Sequence, residues 1–148
     1  MTIHQLVSDE EITAAFALMH QLRDRLHAGT FLQEVRRQQA QGYELIGGFA
    51  EGRLVALAGV RRMHTLSRSE HLFIDDLVTD ASVQGCGYGS ALVRWLAVRA
   101  AAEGIPRLHL DSRITARGFY ERLGFTFHTS IPCWLEVSNY LAKATTTL

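Results

Sequence analysis

The stretch of sequence that decides the fold is DLVTDASVQGCGYGS, residues 76–90. After Asp76 come the apolar and β-branched residues Leu77, Val78 and Thr79, and closely spaced glycines near the end of the stretch precede a long run of helix formers. Glycine lets the backbone approach a ligand without a Cβ in the way. The first N–H groups of a helix lack intrahelical partners, and with the helix dipole they attract anions. The stretch therefore predicts a strand, a turn and a helix whose N-terminus can hold phosphate oxygens.

Three known phosphate-binding patterns can be compared with this turn. A P-loop ends in Gly-Lys-Ser/Thr, and no lysine is present here. A Rossmann turn requires G-x-G-x-x-G, whereas the spacing of Gly85, Gly87 and Gly89 is G-x-G-x-G. The pattern that matches is Q/R-x-x-G-x-G/A, beginning at Gln84. Taken alone, this turn is equally compatible with a purely structural strand-to-helix connection.

Two further segments extend the match. Residues 74–79 read IDDLVT, and residues 116–125 read ARGFYERLGF, close to A-x-x-[LF]-Y-E-x-L-G-F. With these three segments in this order, the chain resembles the GNAT acetyltransferases between about residues 74 and 125. The earlier part of the chain is compatible with the resemblance without being specific for it.

The whole chain predicts an α/β (α+β) fold in a single domain over residues 1–148. The resemblance adds a mixed, mostly antiparallel sheet flanked by helices and splayed between the fourth and fifth strands. From capping, spacing and turn signals we predict the following elements. They are a helix from the Ser8/Glu11 capping box to Gly29, a short helix opened by Thr30, strands at 43–50, 54–63 and 71–79, a helix from the glycine turn to Glu103, a strand at 107–112, a helix at 115–123, and strands at 125–128 and 133–137.

The resemblance implies that acetyl-CoA is the acetyl donor. After a bulge in the fourth strand, the backbone of Leu77, Val78 and Thr79 would pair with the pantetheine amides. The backbone of the glycine-rich turn would hold the pyrophosphate. The residues of that turn are Gln84, Gly85, Cys86, Gly87, Tyr88, Gly89 and Ser90.

Acetyl transfer to an amine requires a base for the amine and a proton for the departing thiolate. The resemblance assigns the acid to Tyr120, whose alternative role is a core tyrosine. For the base, strand alternation would place Phe73, Asp75, Leu77 and Thr79 on one face. The resemblance implies a base or water-relay residue two or four positions before Leu77, and since Phe73 cannot serve, Asp75 is the candidate. Asp76 would face the other way unless the bulge rotates it, and Asp111 is a second candidate. The carboxylates can equally be strand-end polar residues.

One position departs from the resembled pattern. Many GNAT enzymes have an asparagine seven residues before the tyrosine, and Arg113 occupies that position here. Arg113 or Arg117 could meet the 3′-phosphate of the coenzyme, or be solvated.

Composition narrows the classes of partner. The formal net charge is zero, and no run of Lys or Arg is present, which argues against a nucleic-acid or anionic-membrane partner. The two cysteines, Cys86 and Cys133, form no CxxC motif, and the histidines show no ligand spacing, so no metal site is expected. We find neither a signal-peptide pattern nor 18 consecutive apolar residues, and therefore expect a cytoplasmic protein.

The sequence therefore predicts an N-acetyltransferase that moves the acetyl group of acetyl-CoA to a primary amine of a small molecule or protein in a ternary complex. The alternative is a non-catalytic module that senses acetyl-CoA. A homodimer is common in the resembled family. The sequence does not identify the acceptor, although we expect the first two helices and residues 129–134 to select it.

Overall fold

The computed structural model describes residues 1–145, and the chain divides into two compact units, Met1–Leu110 and Asp111–Leu148. The expectation of a single domain stays a prediction.

The first unit is a five-stranded sheet with helices on both faces. The strands are in sequence order across the sheet; the pairs among the first four are antiparallel, and the fifth strand is parallel to the fourth. The mostly antiparallel mixed sheet confirms the predicted fold class. The elements are β1 (Thr2–Gln5), α1 (Asp9–Ala14), α2 (Phe16–His20), α3 (Ala28–Gln39), β2 (Tyr43–Ala50), β3 (Arg53–Thr65), β4 (Ser69–Thr79), a 3-10 helix (Ala81–Val83), α4 (Tyr88–Ala102) and β5 (Leu108–Leu110).

Two apolar cores lie on opposite faces of this sheet. One joins the sheet to α1, α2 and α3, and it contains Leu45, Leu57 and Val78. The other joins the sheet to α4 through residues such as Leu92 and Leu96. Both faces of the central strands are therefore buried, and the helices are fixed on the sheet by apolar contact.

A β-bulge interrupts β4 at Asp75. The pairing with β3 passes from Val60↔Ile74 to Gly59↔Asp76, so Asp75 is an extra residue. A bulge turns the following side chains to the other face. The predicted alternation of residues 73, 75, 77 and 79 is therefore wrong beyond Asp75: Val78 packs in the core beneath α1–α3, whereas Leu77 packs toward α4.

The predicted splay between the fourth and fifth strands is confirmed. β5 pairs with β4 only at Leu72, Phe73 and Ile74. Beyond Ile74, β4 continues to Thr79 without a β5 partner on that edge. The backbone edge of β4 is thus open from Asp75 onward.

The N-terminal helices differ from the prediction in their bounds. The Ser8/Glu11 capping box is confirmed, but the predicted single helix is divided at Ala15, and Gly29 lies inside α3 instead of ending a helix. A glycine near the start of a helix costs little beside the burial of Phe31 and Val35 farther along α3. The prediction also lacked β1, whose largely exposed residues show no alternation and which forms by pairing with β2.

The second unit is helical in its described part. It contains a 3-10 helix (Ile114–Ala116), α5 (Arg117–Arg122) and α6 (Val137–Thr145). The strands predicted at 125–128 and 133–137 are wrong: no residue between 111 and 145 is in a strand. Short alternating runs need a neighbouring strand for their backbone groups. At its end, the spacing of Val137, Tyr140 and Leu141 is helical instead.

Candidate active site

The glycine-rich turn presents the start of α4 to solvent. Gly85 and Gly87 adopt left-handed φ angles of 85° and 82°, and a Cβ built on either would meet no atom within 4 Å. Gly87 is the N-cap residue of α4; no side chain caps the helix, and its first turn has no acidic residue. The N-terminus of this 15-residue helix can therefore receive an anion.

The loop between β4 and this turn is held in place by two kinds of hydrogen bond, one within the loop and one to the segment after α2. The Asp80 carboxylate accepts the backbone N–H of Ser82 at 2.9 Å, and this hydrogen bond lowers the pKa of Asp80. The backbone N–H of Ala81 donates to the side chain of Gln21 at 2.9 Å, just after α2. The loop is thereby anchored to both the strand end and a neighbouring helix.

The open edge of β4 leads toward this loop. On the other edge, Leu77, Val78 and Thr79 pair with β3, and Val78 is 9% exposed. The strand is therefore rigidly supported on one side while its other edge lacks a β5 partner. An extended chain with amide groups can add to such an edge as a further strand.

Asp75 and Asp76 both meet groups on the face of the sheet covered by α1–α3. Arg61 Nε lies 2.7 Å from Asp75 Oδ2, and Arg61 also donates to Gln38 of α3. Arg23 Nη2 lies 2.7 Å from Asp76 Oδ1 and donates to the backbone carbonyl of Asp75 at 2.8 Å. The bulge therefore places two adjacent carboxylates beside two arginines.

Asp76 has a third partner in Tyr43. The Tyr43 hydroxyl donates to Asp76 Oδ2 at 2.9 Å, and burial together with the charge of Asp76 raises the pKa of Tyr43. Gly59 makes room for this ring, because a Cβ at position 59 would lie 2.0 Å from Tyr43 Oη. Asp76 is thus engaged at both oxygens, whereas the described contacts of Asp75 use only Oδ2.

Tyr120 lies in the second unit, on α5. It is 9% exposed and packs edge-on against Phe119 and Phe125, with ring centroids 5.1 and 5.4 Å away. Burial raises the pKa of its phenol. Asp111, also in this unit, is exposed and follows the end of β5.

The two arginines near the departure from the sequence pattern have different surroundings. Arg117 pairs with Glu121 at 2.7 Å, and its guanidinium stacks over Phe127, with 4.7 Å to the ring centroid. Arg113 is the N-cap residue of the 3-10 helix before α5. The Arg117 side chain therefore has a structural role within its own unit.

Comparison with known proteins assigns the family. Residues 7–125 match the sequence profile of the Acetyltransferase (GNAT) family. This chain belongs to the GNAT acetyltransferase family. An uncharacterised N-acetyltransferase of Bacillus subtilis, YhdJ, is 32% identical over 130 residues, which cover 84% of this chain and 92% of that protein.

Two further proteins resemble this GNAT chain. A glucosamine 6-phosphate N-acetyltransferase of Trypanosoma brucei brucei is 34% identical over 79 residues, 52% of this chain and 54% of that protein. An aminoglycoside N-acetyltransferase solved in complex with CoA has a TM-score of 0.78 at 15% identity, covering 91% of this chain and 93% of that one. The latter likeness shows a shared fold.

The residues of this GNAT chain fit the chemistry of a CoA thioester. CoA combines phosphates with an extended pantetheine arm that carries amides. The uncapped start of α4 suits the phosphates, and the open edge of β4 suits the amides. Both features lie in the first unit and are joined by the anchored loop at residues 80–84.

The described part of the GNAT chain has neither a membrane-spanning helix nor a cluster of metal-binding side chains. Within residues 1–145, no helix is both long and apolar enough to cross a bilayer. The same residues contain no group of three or more His, Cys, Asp or Glu side chains arranged to hold a metal ion.

Sequence reasoning missed the arginines that face the two carboxylates. Arg23 and Arg61 are 52 and 14 residues from Asp75, and no local motif marks either. One signal was available for the bulge: Gly59 is an isolated glycine in the middle of a predicted strand, which often marks a bulge or a close approach.

Proposed function

We propose that this chain is an acetyl-CoA-dependent N-acetyltransferase that acetylates a primary amine of a small molecule or protein by direct transfer in a ternary complex. The observation that carries the proposal is one continuous stretch of chain in the first unit. It runs from the Asp75 bulge along the open edge of β4 to the uncapped start of α4. The family assignment supports the acetyl-transfer chemistry.

The donor-binding role falls to backbone groups. Bound acetyl-CoA supplies the activated acetyl group. The edge at Leu77, Val78 and Thr79 accepts the pantetheine arm as an added strand, and the turn binds the pyrophosphate. The residues proposed for the pyrophosphate are Gln84, Gly85, Cys86, Gly87, Tyr88, Gly89 and Ser90.

Asp75 is the proposed base. Arg61 holds its Oδ2, and Oδ1 remains to accept a proton from the amine directly or through one water. Asp111 is the alternative proton acceptor.

Tyr120 is the proposed acid. The raised pKa of its phenol keeps the hydroxyl protonated at neutral pH, as a proton donor to a departing thiolate must be.

A second candidate function is a non-catalytic acetyl-CoA sensor. The observation in its favour is that arginines already pair with both carboxylates, as expected if the acidic pair serves only to hold the helices on the sheet. Such a protein would bind acetyl-CoA by the same backbone groups without turning it over.

Two measurements test the proposal. Acetyl-CoA at about 100 times its Kd should stabilise the fold by about 2.7 kcal/mol in thermal unfolding, whereas ATP and NAD should do less. Release of free thiol should then accelerate with at least one member of an amine library. Stabilisation by acetyl-CoA without thiol release from any amine would favour the sensor. Absence of stabilisation would refute both functions.

The remaining expectations from the sequence stay predictions. They are a homodimer, a cytoplasmic location, and the absence of nucleic-acid and membrane partners. Sedimentation velocity at several protein concentrations measures the first of these directly.

A further inference from the structure

A cavity of about 320 Å³ opens on the β3–β4 hairpin, on the face where Asp75 lies. Residues 61, 63 and 65 of β3 and residues 71, 73 and 75 of β4 line it, together with Ser67 and Arg68 of the connecting turn. Alternate residues of paired strands share one face of a sheet, and here Arg61 pairs with Phe73 and Met63 with His71. The volume is in the range of small-ligand pockets.

The charged lining of the cavity is predominantly positive. Two guanidinium groups, those of Arg61 and Arg68, face one carboxylate, that of Asp75. Arg61 already pairs with Asp75. Arg68 is half-buried, and its side chain forms no hydrogen bond or ion pair with any residue whose side chain the structure describes, that is residues 1–142. The Arg68 charge is therefore available to a ligand in the cavity.

A buried histidine supplies a second unsatisfied group. His71 is 0% exposed, and its Nδ1 lies 2.9 Å from the carbonyl oxygen of Ser69. Because a carbonyl only accepts, Nδ1 carries the hydrogen. The other ring nitrogen, Nε2, is buried and has no partner among the described residues. A buried polar atom without a partner is destabilising, so a ligand that reaches Nε2 would recover this free energy.

The cavity continues to the proposed base. Asp75 and His71 are four residues apart on β4, or about 13 Å at roughly 3.3 Å per residue. A small molecule can therefore place an amine beside Asp75 and a second group beside Arg68 and His71. The second group must be an oxyanion, because it would meet the guanidinium of Arg68. Since Nδ1 of His71 carries the hydrogen, Nε2 accepts, and a hydroxyl of the ligand or a bridging water would donate to it.

From this geometry we propose that the acceptor is a small primary amine that also carries a phosphate or carboxylate, and that Arg68 and His71 bind this anionic group in the hairpin cavity. The inference rests on the proposed function, since it assigns the acceptor of the same site. It makes Arg68 a residue that determines which amines are used.

Turnover with matched acceptors tests the substrate class. One pair is glucosamine 6-phosphate and glucosamine, and the other is 4-aminobutyrate and 4-aminobutyramide. The wild type should prefer the anionic member of at least one pair by tenfold or more in kcat/KM, and the preferred pair distinguishes phosphate from carboxylate. Arg68→Gln should raise KM for that acceptor about tenfold or more, leave its kcat much less affected, and abolish the preference.

Arg62→Gln is the matched control. Arg62 is one residue from Arg61 on β3, is exposed on the opposite face and pairs with Glu70. This variant should keep the preference of the wild type. Equal use of anionic and neutral amines by the wild type, or a preference that Arg68→Gln does not change, overturns the inference while leaving the proposed function intact.

A binding measurement separates the inference from turnover. Inorganic phosphate is titrated in the presence of saturating CoA, so that the start of α4 is already filled, and the His71 ring is followed by NMR. Its signal should shift in the wild type and in Arg62→Gln but not in Arg68→Gln. A response independent of Arg68, or none in the wild type, overturns the anion site. An Arg68-dependent response without acetylation of any amine supports the anion site and refutes the proposed function.

Discussion

Asp75 and Asp76 are neighbours in the chain with unequal surroundings. The Asp76 side chain is 14% exposed and contacts both Arg23 and Tyr43, whereas the Asp75 side chain is 26% exposed and contacts Arg61. A carboxylate with both oxygens engaged holds structure, and one with an available oxygen can accept a proton. Their surroundings assign Asp76 to stability and leave Asp75 as the candidate for chemistry.

Replacing Asp75 by asparagine should lower turnover by about 10² or more, because the amide cannot accept the amine proton. Its shape is kept, so acetyl-CoA affinity in calorimetry should hardly change. Asp76→Asn is the matched control, and we expect it to lower the melting temperature more than Asp75→Asn does. An Asp75→Asn enzyme with wild-type turnover would shift the proton acceptor to Asp111.

Tyr120→Phe removes one hydroxyl from an otherwise unchanged ring. Turnover should fall by roughly 10–10³, and the Michaelis constant for acetyl-CoA should move much less, because the hydroxyl would act mainly in the transition state. Tyr140→Phe is the matched control, since Tyr140 is exposed on α6. Wild-type rates for Tyr120→Phe across the pH range would make Tyr120 a packing residue of its aromatic cluster.

Only part of this residue-scale detail was predictable. Asp75 and Tyr120 were found because they lie within short patterns. The partners of Asp75 were not, because the link between Arg23 and the β4 bulge spans 52 residues of chain and is set by how α2 packs on the sheet. Alternation failed at the bulge because it assumes one residue opposite one residue.

At the scale of secondary-structure elements, the start of α4 leads to a prediction about acetyl-CoA binding. Gly87→Val places a branched side chain in the space where the proposed phosphates would lie, and acetyl-CoA binding should be lost in calorimetry while the domain stays folded. Gly104→Val is the matched control at the opposite end of α4, where φ is 71° and a Cβ also meets open space. Both variants incur backbone strain at a positive φ.

The two glycine variants therefore differ in position along the helix rather than in backbone conformation. We expect Gly104→Val to bind acetyl-CoA with wild-type affinity at a temperature where it is folded. Equal affinity of all three proteins would exclude the glycine turn as the phosphate site.

The elements that the sequence predicted well carry local signals. The β2–β3 hairpin has an apolar run on each side of Glu51 and Gly52, both of which adopt positive φ. The end of α4 was marked by Gly104 followed by Pro106. The strands predicted at 125–128 and 133–137 lacked such support, because a short strand exists only where another strand completes its hydrogen bonds.

On the scale of the whole molecule, the fold class could be predicted from the order of helices and strands in the sequence. The order of the strands in the sheet could not. β1 pairs with β2 through residues that are far apart in sequence, such as Ile3 and Gly48. The four residues of β1 show no alternation of polar and apolar side chains that would predict a strand. The hairpin cavity could not be predicted from the sequence either, because it depends on the register of β3 against β4 and on the position of the turn residue Arg68.

The α1 capping box predicts how the stability of the folded protein changes at acid pH. Backbone N–H groups of Val7 and Ser8 lower the pKa of Glu11 from 4.5 to about 2. A folded-state pKa below the unfolded value stabilises the protein above about pH 4.5, and this stabilisation is lost as pH falls toward 2. The difference in urea midpoint between wild type and Glu11→Gln should therefore narrow over this interval.

Glu10→Gln is the matched control for acid stability. Glu10 is the adjacent residue in the first turn of α1, and none of the described contacts involves its side chain. Its urea midpoint should follow that of the wild type at each pH. A difference between wild type and Glu11→Gln that stays constant from pH 6 to pH 2 would contradict the assignment to the capping hydrogen bonds.

The contact between Gly59 and Tyr43 has a consequence for how this sequence can change over time. The tyrosine ring occupies the volume that any side chain at position 59 would need. A larger residue can therefore replace Gly59 only after a smaller residue has replaced Tyr43. Losing the ring also removes a donor from Asp76. Substitution histories at the three positions should therefore be coupled, with the smallest residue of β3 tied to the acidic pair of β4.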